Sequence, residues 1–217
     1  MIHKNKICVS VGEKTVFELL NALRGLSFAE VRLDFLEKLP TEREISKIFS
    51  PSITLIATFR KGKISDAERK KILISAIENG ARYVDVEVEN REHFISDIIR
   101  FAKSKGCRTI VSYHNYSKTP SERKLQAIIR TCSKFKPDII KISCKANSMR
   151  DCARLLGLLS YKKRILVVGM GQKGRIVRIV APLLGSPFTY ASRSVGKEIA
   201  EGQIDVKKMN SILEALT

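Results

Sequence analysis

The sequence of 217 residues has no apolar run that approaches the roughly 20 residues of a membrane-spanning helix. Its opening segment, MIHKNKICVS, also lacks the apolar stretch and cleavage site of a secretory signal. No linker, low-complexity tract or shift in composition divides the chain. We therefore expect a cytoplasmic protein without a membrane partner, formed by one domain over residues 1–217.

Paired cysteines are absent as well. The chain has five cysteines, an odd number, and no two of them are spaced as C-x-x-C. This pattern argues against a zinc site and against a disulfide framework. We predict reduced thiols that are packed in the interior, where a free cysteine behaves as a small apolar residue, and no metal site.

Acidic residues are few relative to basic ones. The chain has 22 Asp and Glu residues and 40 Lys and Arg residues, which gives a formal net charge of +18. Such a charge suits a nucleic-acid binder. The basic residues are spread along the chain, however, and no aromatic residues are interleaved with them for base stacking. We favour a solvated basic surface and expect no nucleic-acid partner.

A regular series of segments rich in Val, Ile and Leu runs through the whole chain. Segments of helical period lie between them. Eight strand–helix units in one modest chain predict an α/β protein with the (β/α)8 or TIM-barrel fold. The predicted strands cover residues 6–12, 29–36, 53–60, 82–89, 108–115, 138–145, 164–170 and 188–192.

Ionisable and polar residues alternate with apolar ones along these strands. Since neighbouring strand residues point to opposite faces, an apolar set that faces the helices leaves the polar set inside the barrel. The inward set is Glu30, Arg32, Asp34, Thr58, Arg60, Asp85, Glu87, Ser112, His114, Lys141 and Ser143. Unpaired buried charge is costly, so these groups either form a salt network or serve a ligand. We favour a ligand site at the C-terminal ends of the strands, where barrel enzymes work.

The segment VVGMGQKGR at residues 167–175 contains glycines spaced as G-x-G-x-x-G. A dinucleotide fingerprint belongs to the first βαβ unit and needs an acidic residue about 20 positions later. Here the motif follows the seventh predicted strand, and the later segment GSPFTYASRS has no acidic residue. We interpret Gly171 and Gly174 instead as part of an anion site, with Arg178 as a two-point clamp.

Lys141 lies between two isoleucines in the segment DIIKIS. Desolvation and nearby cations such as Arg32 and Arg60 are expected to favour the neutral, nucleophilic form of this amine. A neutral amine attacks a carbonyl to give an iminium, which withdraws electrons and eases deprotonation of the neighbouring carbon. His114 on the preceding strand is suited to move that proton.

Seven short motifs, in order along the chain, resemble those of type I 3-dehydroquinate dehydratases. The resemblance covers nearly the whole chain and implies a lyase of the shikimate pathway. Such enzymes convert 3-dehydroquinate, a small anionic molecule, to 3-dehydroshikimate and water without a metal or an organic cofactor. The motifs are EVRLD (30–34), TFR (58–60), VDVE (84–87), SYHNY (112–116), DIIKIS (138–143), MGQKGRIVR (170–178) and EGQ (201–203).

The resemblance also implies roles for individual residues. Lys141 forms the imine with the substrate ketone, and His114 moves a proton from C2 to the departing C1 hydroxyl in a syn elimination. Arg178 holds the carboxylate. The other expected substrate-binding residues are Ser10, Glu30, Arg32, Arg60, Met170 and Gln203.

The chain departs from the family pattern in three places, one of which is Val177, where the family usually has a Ser before the arginine. The Glu that often follows the arginine of TFR is absent from RKGKIS, which leaves Asp85, Glu87 or a water to orient His114. The usual Ala-Pro-Gly-Gln loop reads AEGQ at residues 200–203, with Ile199 at a position that usually carries a hydroxyl.

Two other functions stay open at this point. An aldolase or transaldolase that acts on sugar phosphates would also use an imine-forming lysine and an anion loop. A protein that binds nucleic acid or an anionic surface through its net charge would not need Lys141. The family includes dimers, so a homodimer is a further expectation.

Overall fold

The strands and helices of the chain alternate, as a computed structural model of residues 6–50, 52–62 and 64–216 shows. The strands are β1 Ile7–Val11, β2 Phe28–Arg32, β3 Thr54–Thr58, β4 Tyr83–Glu87, β5 Arg108–Asn115, β6 Ile139–Lys145, β7 Ile165–Met170 and β8 Thr189–Ser192. The helices are α1 Val16–Leu23, α2 Glu42–Phe49, α3 Asp66–Glu78, α4 Glu92–Ser104, α5 Glu122–Lys134, α6 Met149–Gly157, α7 Gly171–Val180 and α8 Val206–Ala215. Every predicted strand is present.

The strands form one parallel sheet in the order β7-β6-β5-β4-β3-β2-β1-β8. Consecutive strands are therefore neighbours, and β8 pairs with β1. The two ends of the series, β7 and β8, contact each other and nearly close the barrel. This arrangement confirms the predicted (β/α)8 barrel.

Strand β2 is shorter than predicted. It ends at Arg32, and a 3₁₀ turn over Leu33–Phe35 follows it. Asp34 lies in this turn and not in the strand, and its carboxylate pairs with the Arg32 guanidinium. The apolar–polar alternation of the sequence continues beyond Arg32, so it does not mark the end of the strand. For this reason the predicted strand 29–36 extends too far.

Several helices begin with reciprocal side-chain and backbone hydrogen bonds. In these capping boxes the side chain of a Ser or Thr accepts a hydrogen bond from the backbone N–H of the third helical residue. The carboxylate of that third residue in turn accepts from the backbone N–H of the Ser or Thr. The pairs are Thr15 with Glu18, Thr41 with Glu44, Ser65 with Glu68, and Ser148 with Asp151. These local signals fix where each of these helices starts.

Buried apolar side chains of the described residues form three clusters, the smallest of them where α8 packs against β1 and β8. The largest core lies between the sheet and the surrounding helices and includes Val31, Val84, Val111 and Ile142, as the strand alternation predicted. The five cysteines are free and buried, which confirms the expected packing of the thiols. Among the described helices, none is both long enough and apolar enough for a membrane span.

The inside of the barrel is divided along its axis. Its N-terminal part is apolar and contains three aromatic rings, with Phe28 and Phe188 packed edge to face at 4.9 Å between centroids. We call this part the apolar floor: Cys8, Phe28, Ile56, Tyr83, Ile110, Ile139, Leu166 and Phe188. One step further along the strands the interior becomes polar and charged, and a cavity opens there.

Candidate active site

A cavity of about 410 Å³ lies at the C-terminal end of the barrel. All nine residues predicted for the site line it: Ser10, Glu30, Arg32, Arg60, His114, Lys141, Met170, Arg178 and Gln203. The strand alternation brings most of them together because every second strand residue faces inward. The lining also includes Tyr116, Ser143, Lys145, Val168, Tyr190, Ile199, Ala200 and Glu201.

Lys141 lies on β6 and is only 4% exposed. Its Nζ donates to Asp85 Oδ2 at 2.9 Å, to the Tyr190 hydroxyl at 3.2 Å and to Glu30 Oε1 at 3.4 Å. An ammonium carries three N–H donors, so these three partners saturate it. The expected cationic neighbours do not contact this amine, and the groups that face its protons are carboxylates and a phenol.

The two carboxylates beside Lys141 remain charged despite full burial. Burial alone raises the pKa of Asp85, but Arg60 and Lys141 outweigh it and hold that pKa far below its ordinary value. For Glu30, burial is opposed in the same way by Lys141, Arg32 and Arg60, and its pKa is lowered. The cavity thus contains fixed negative charges next to the amine.

Arg60 joins the carboxylates of β4 to the rest of the site. Its guanidinium makes a two-point contact with Asp85 at 2.9 and 3.1 Å, and it also donates to Ser112 Oγ at 3.1 Å. Burial lowers its pKa, but Asp85 and Glu87 reverse that effect and raise it above the ordinary value. Arg60 is therefore a permanent cation at the centre of the network.

His114 lies on β5, between Arg60 and Glu87. Its Nε2 is 3.4 Å from Arg60 Nη2, and its Nδ1 is 3.4 Å from Glu87 Oε1 without hydrogen-bond alignment. A guanidinium only donates and a carboxylate only accepts. These neighbours assign the proton to Nδ1 and leave Nε2 as the basic nitrogen.

The imidazole of His114 is a neutral base at physiological pH. Burial and the nearby Arg60 lower its pKa to about 4, although contact with Glu87 acts in the opposite direction. Glu87 itself is anionic: burial raises its pKa, but His114 and Arg60 outweigh this and lower it to about 2. His114 can accept a proton, and Glu87 then faces the positive ring that results.

Arg178, on α7, has the least compensated charge of the described site. It is 1% exposed, its Nη1 donates to the Tyr190 carbonyl at 3.4 Å, and its Nε and Nη2 have no hydrogen-bond partner among the described residues. Burial without a carboxylate in contact lowers its pKa to about 10, so it stays charged at neutral pH. A buried guanidinium with free donors is suited to an anion such as a carboxylate or a phosphate.

Three other predicted residues are already held by protein contacts. Arg32 donates from Nε and Nη2 to the Asp34 carboxylate at 3.0 and 2.7 Å. Its Nη1 is not used in this contact. Ser10 Oγ donates to Glu30 Oε2 at 3.1 Å, and Thr58 Oγ1 donates to Glu30 Oε1 at 3.1 Å. These bonds fix the Glu30 carboxylate at the level of Lys141.

The loop after β8 covers one side of the cavity. Gly171 N–H donates to the Glu201 carbonyl at 3.0 Å, and the Glu201 carboxylate pairs with Lys145 Nζ at 2.9 Å. Gly202 has φ +82°, and a Cβ there would lie 2.3 Å from the Gly171 carbonyl oxygen. Gln203 accepts from Ile199 N–H at 2.8 Å, so it holds this loop together.

The glycine motif of β7 and α7 has a packing function that the sequence analysis did not assign. A Cβ on Gly169 would lie 2.5 Å from the Gly174 carbonyl oxygen. The pair therefore allows α7 to start directly against β7. For Gly174 this close packing, rather than the approach of an anion, is what requires glycine.

Known proteins resemble this chain in sequence and in fold. The sequence model of the family described as type I 3-dehydroquinase matches residues 7–217. The chain belongs to this family. A 3-dehydroquinate dehydratase of Methanococcus maripaludis is 35% identical to it, over 97% of this chain and 99% of the relative.

Solved structures of type I 3-dehydroquinases have the same fold. A 3-dehydroquinate dehydratase from Geobacillus kaustophilus matches with a TM-score of 0.87 at 23% identity, over 99% of this chain and 91% of that chain. A type I 3-dehydroquinate dehydratase from Clostridium difficile, solved with covalently modified comenic acid, matches with a TM-score of 0.84 at 25% identity, over 97% and 91%.

Within this type I 3-dehydroquinase, two contacts of the site escaped the sequence analysis. Tyr190 touches the amine of Lys141, and the Lys145–Glu201 ion pair crosses from β6 to the loop after β8. Lys145 shares the inward parity of Lys141 and Ser143 on β6, a signal that could have found it. Tyr190 carries no such signal, since it reads as an ordinary β-forming aromatic. Of the alternatives for orienting His114, Glu87 is the carboxylate that faces Nδ1.

Proposed function

We propose that this chain is a 3-dehydroquinate dehydratase that works through an imine at Lys141. The observation that carries this proposal is the buried Lys141 amine, which lines a cavity together with a buried, incompletely paired Arg178 guanidinium. A ligand for this pair needs a carbonyl carbon and a carboxylate, and 3-dehydroquinate has both. Membership of the type I 3-dehydroquinase family supports the same substrate.

Imine formation begins when Lys141 gives up a proton and attacks the ketone carbon. The C–N bond forms as the π pair of the carbonyl moves to oxygen, which takes up a proton. The carbinolamine hydroxyl takes up the second proton released from Nζ and leaves as water, and an iminium remains on Nζ. Asp85 and Glu30, which contact the amine in the described chain, face the positive charge of this iminium.

Elimination follows at the neighbouring carbons. Nε2 of His114 removes a proton from C2, because the ring is neutral and this nitrogen carries the basic lone pair, which the 3.4 Å contact with Arg60 Nη2 releases for the step. The same ring then donates the proton to the C1 hydroxyl, which departs as water on the same face. Hydrolysis of the product imine releases 3-dehydroshikimate and restores the amine. We place the lysine and the histidine in contact with one substrate because β5 and β6 are neighbours with matched register.

The remaining residues bind and orient the substrate. Arg178 takes the carboxylate, and Glu30, Arg32 and Arg60 present donors and acceptors to the ring hydroxyls. Ser10 and Met170 line the pocket, and Gln203 holds the loop that covers it. Since every described element contributes to one barrel, we infer a single catalytic domain over 1–217; a homodimer stays a prediction.

The alternative of a sugar-phosphate aldolase is less well supported by the anion site. Phosphate in barrels is commonly held by backbone amides at a helix N-terminus. Here the first amide of α7, Gly171 N–H, already donates to the Glu201 carbonyl. The two free nitrogens of Arg178 can hold a carboxylate without help from this helix terminus.

The test is incubation of the purified protein with 3-dehydroquinate while ultraviolet absorbance of the product enone is followed. Borohydride is then added, and mass spectrometry of the protein measures the reduced adduct on Lys141. We expect a rise in absorbance and an adduct of substrate mass. Absence of both the absorbance change and the adduct would overturn the proposal, and high salt serves as the control for binding that rests on net charge alone.

A further inference from the structure

Tyr190 lies at the boundary between the apolar floor and the cavity. It is 3% exposed and belongs to the cavity lining. Its ring packs at 73° against Phe188 with 5.5 Å between centroids. An aromatic ring wedged in this way has little freedom to rotate, so the hydroxyl is held at a fixed point beside Lys141.

The hydroxyl of Tyr190 is a hydrogen-bond donor without an acceptor in the described part of the chain. Its oxygen accepts from Lys141 Nζ at 3.2 Å, and all three N–H donors of that ammonium are used by Asp85, Glu30 and this oxygen. The phenol hydrogen is left to point into the cavity. Burial, with Glu30 and Cys8 nearby, raises the pKa of Tyr190 well above its ordinary value, so the phenol keeps this hydrogen.

The ring of Tyr190 also contacts the amine. Lys141 Nζ lies 4.3 Å from the ring centroid, within the distance at which an aromatic face attracts a cation. This contact survives when the ammonium becomes an iminium, because the positive charge stays on the same nitrogen. The hydrogen bonds of the ammonium do not all survive, since an iminium nitrogen bonded to Lys141 and to the substrate carbon has one N–H at most.

Imine formation creates an acceptor where the free phenol hydrogen points. When Nζ attacks the ketone, the carbonyl oxygen lies one bond from the attacked carbon and therefore about 2.4 Å from Nζ by ordinary covalent geometry. A hydroxyl in contact with Nζ can reach this oxygen. The oxygen gains negative charge as the π pair moves onto it, and a positioned donor is most useful for a charge that develops during the step.

We propose that Tyr190 is a further catalytic residue, whose hydroxyl donates a hydrogen bond to the substrate carbonyl oxygen while Lys141 forms the carbinolamine. The inference rests on the proposed function. No net proton leaves Tyr190: Nζ loses two protons on the way from ammonium to iminium, and both end on the former carbonyl oxygen, the second by way of His114, so that this oxygen departs as water. The phenol contributes only a neutral hydrogen bond, and its ring supports the cation.

The test compares Tyr190→Phe with Tyr83→Phe, which deletes the same hydroxyl from a buried tyrosine of the apolar floor. Each enzyme is mixed with 3-dehydroquinate and quenched with borohydride at increasing times. Mass spectrometry of the protein then gives the fraction that carries the reduced adduct at each time. Exchange of the C2 proton in deuterated water, expressed per adduct, reports the His114 step. Melting temperatures monitor folding of both variants.

We expect Tyr190→Phe to form the adduct about 10- to 100-fold more slowly, as for loss of one hydrogen bond to a developing charge. Exchange per adduct should stay as in the wild type, and Tyr83→Phe should form the adduct at the wild-type rate. An unchanged adduct rate in Tyr190→Phe would overturn the inference, and so would equal slowing of both steps with a lowered melting temperature. A wild-type protein without turnover or adduct would instead overturn the proposed function.

Discussion

The two ends of the barrel interior are built from the same strands but have opposite chemistry. Phe28 of the apolar floor and Glu30 of the cavity are two residues apart on β2, and Tyr83 and Asp85 stand in the same relation on β4. The floor is closed by interlocked aromatic rings, whereas the cavity is filled with ion pairs and one unfilled space. On each of these strands, one inward-facing residue therefore belongs to the apolar floor and the next inward-facing residue belongs to the charged cavity.

This contrast shows what each end contributes. The floor excludes water from below and so makes the charges above it act through a poorly screening medium. The cavity contains carboxylates and cations that compensate one another, apart from the free donors of Arg178. Changes in the cavity should therefore act mainly on activity, and changes in the floor mainly on stability.

The largest effect is expected for Lys141→Arg. A guanidinium keeps the positive charge beside Asp85 and Glu30 but cannot form an imine. We expect turnover to fall by at least about 10⁴-fold, the scale for loss of a covalent nucleophile, with no borohydride-trapped adduct. The melting temperature of Lys141→Arg measures whether the ion pairs with Asp85 and Glu30 are retained. The control variant His114→Ala keeps the Lys141 amine and should still form an adduct. Turnover by Lys141→Arg would rule out the covalent route.

Arg178→Lys should have the next largest effect. An ammonium replaces the two-point fork by a single point charge, so about 1.5–3 kcal/mol of charge-assisted hydrogen bonding to a carboxylate is weakened. We expect KM for 3-dehydroquinate to rise by roughly 10- to 100-fold with a smaller change in kcat. Steady-state kinetics measures this split. An unchanged KM would remove Arg178 from the carboxylate site.

Glu87→Gln should change the rate and its pH dependence together. The pKa of His114 is about 4 in the folded chain against an ordinary value of 6.5, so the neutral base persists well below neutral pH. We expect the acid limb of kcat/KM to lie near pH 4–5 in the wild type. Removal of the anion that favours the protonated ring should shift this limb to lower pH and reduce kcat by about 10-fold.

The same pKa has a consequence for stability. Between pH 4 and 6.5 the unfolded chain binds a proton at His114 that the folded chain does not bind, so the contribution of this group to stability rises with pH in that range. An acid limb near pH 6.5 in wild-type kinetics, or an upward shift in Glu87→Gln, would contradict the arrangement of Arg60 and Glu87 around the ring.

The smallest effect on activity is expected for Phe28→Leu in the apolar floor. This change removes ring contacts with Phe188 and Tyr83 but touches no ionisable side chain of the cavity. We expect the free energy of unfolding to fall by roughly 1–2 kcal/mol, as chemical denaturation measures, while kcat stays within about twofold. A large loss of kcat at unchanged stability would mean that the two ends of the barrel are coupled.

Much of the fold and of the site follows from local sequence patterns. The repeated strand–helix units determine the barrel, and the strand alternation places Glu30, Asp85, His114 and Lys141 inside it. These features were predictable because they depend only on sequence separation and on the two-residue period of a strand. The division of the interior was not predicted, since inward apolar residues such as Phe188 have the same local pattern as outward ones.

Contacts across the barrel could not be predicted in this way. The bond between Lys141 and Tyr190 joins β6 to β8, and the pair between Lys145 and Glu201 joins β6 to a loop. Both depend on how the barrel closes and on how far each side chain reaches. The expected influence of cations on Lys141 was also incomplete, because a list of inward residues does not say that Asp85 lies between Arg60 and the amine.

The incomplete pairing of Arg178 also has a consequence for inhibitor chemistry. Compounds with one acidic group and one electrophilic carbon at the spacing of Arg178 and Lys141 would satisfy the pocket as it stands. A second acidic group would have to displace a carboxylate that already holds Arg60 or Arg32. Libraries of small monoacids with a reactive carbonyl are therefore better starting points than polyacids, however basic the protein as a whole.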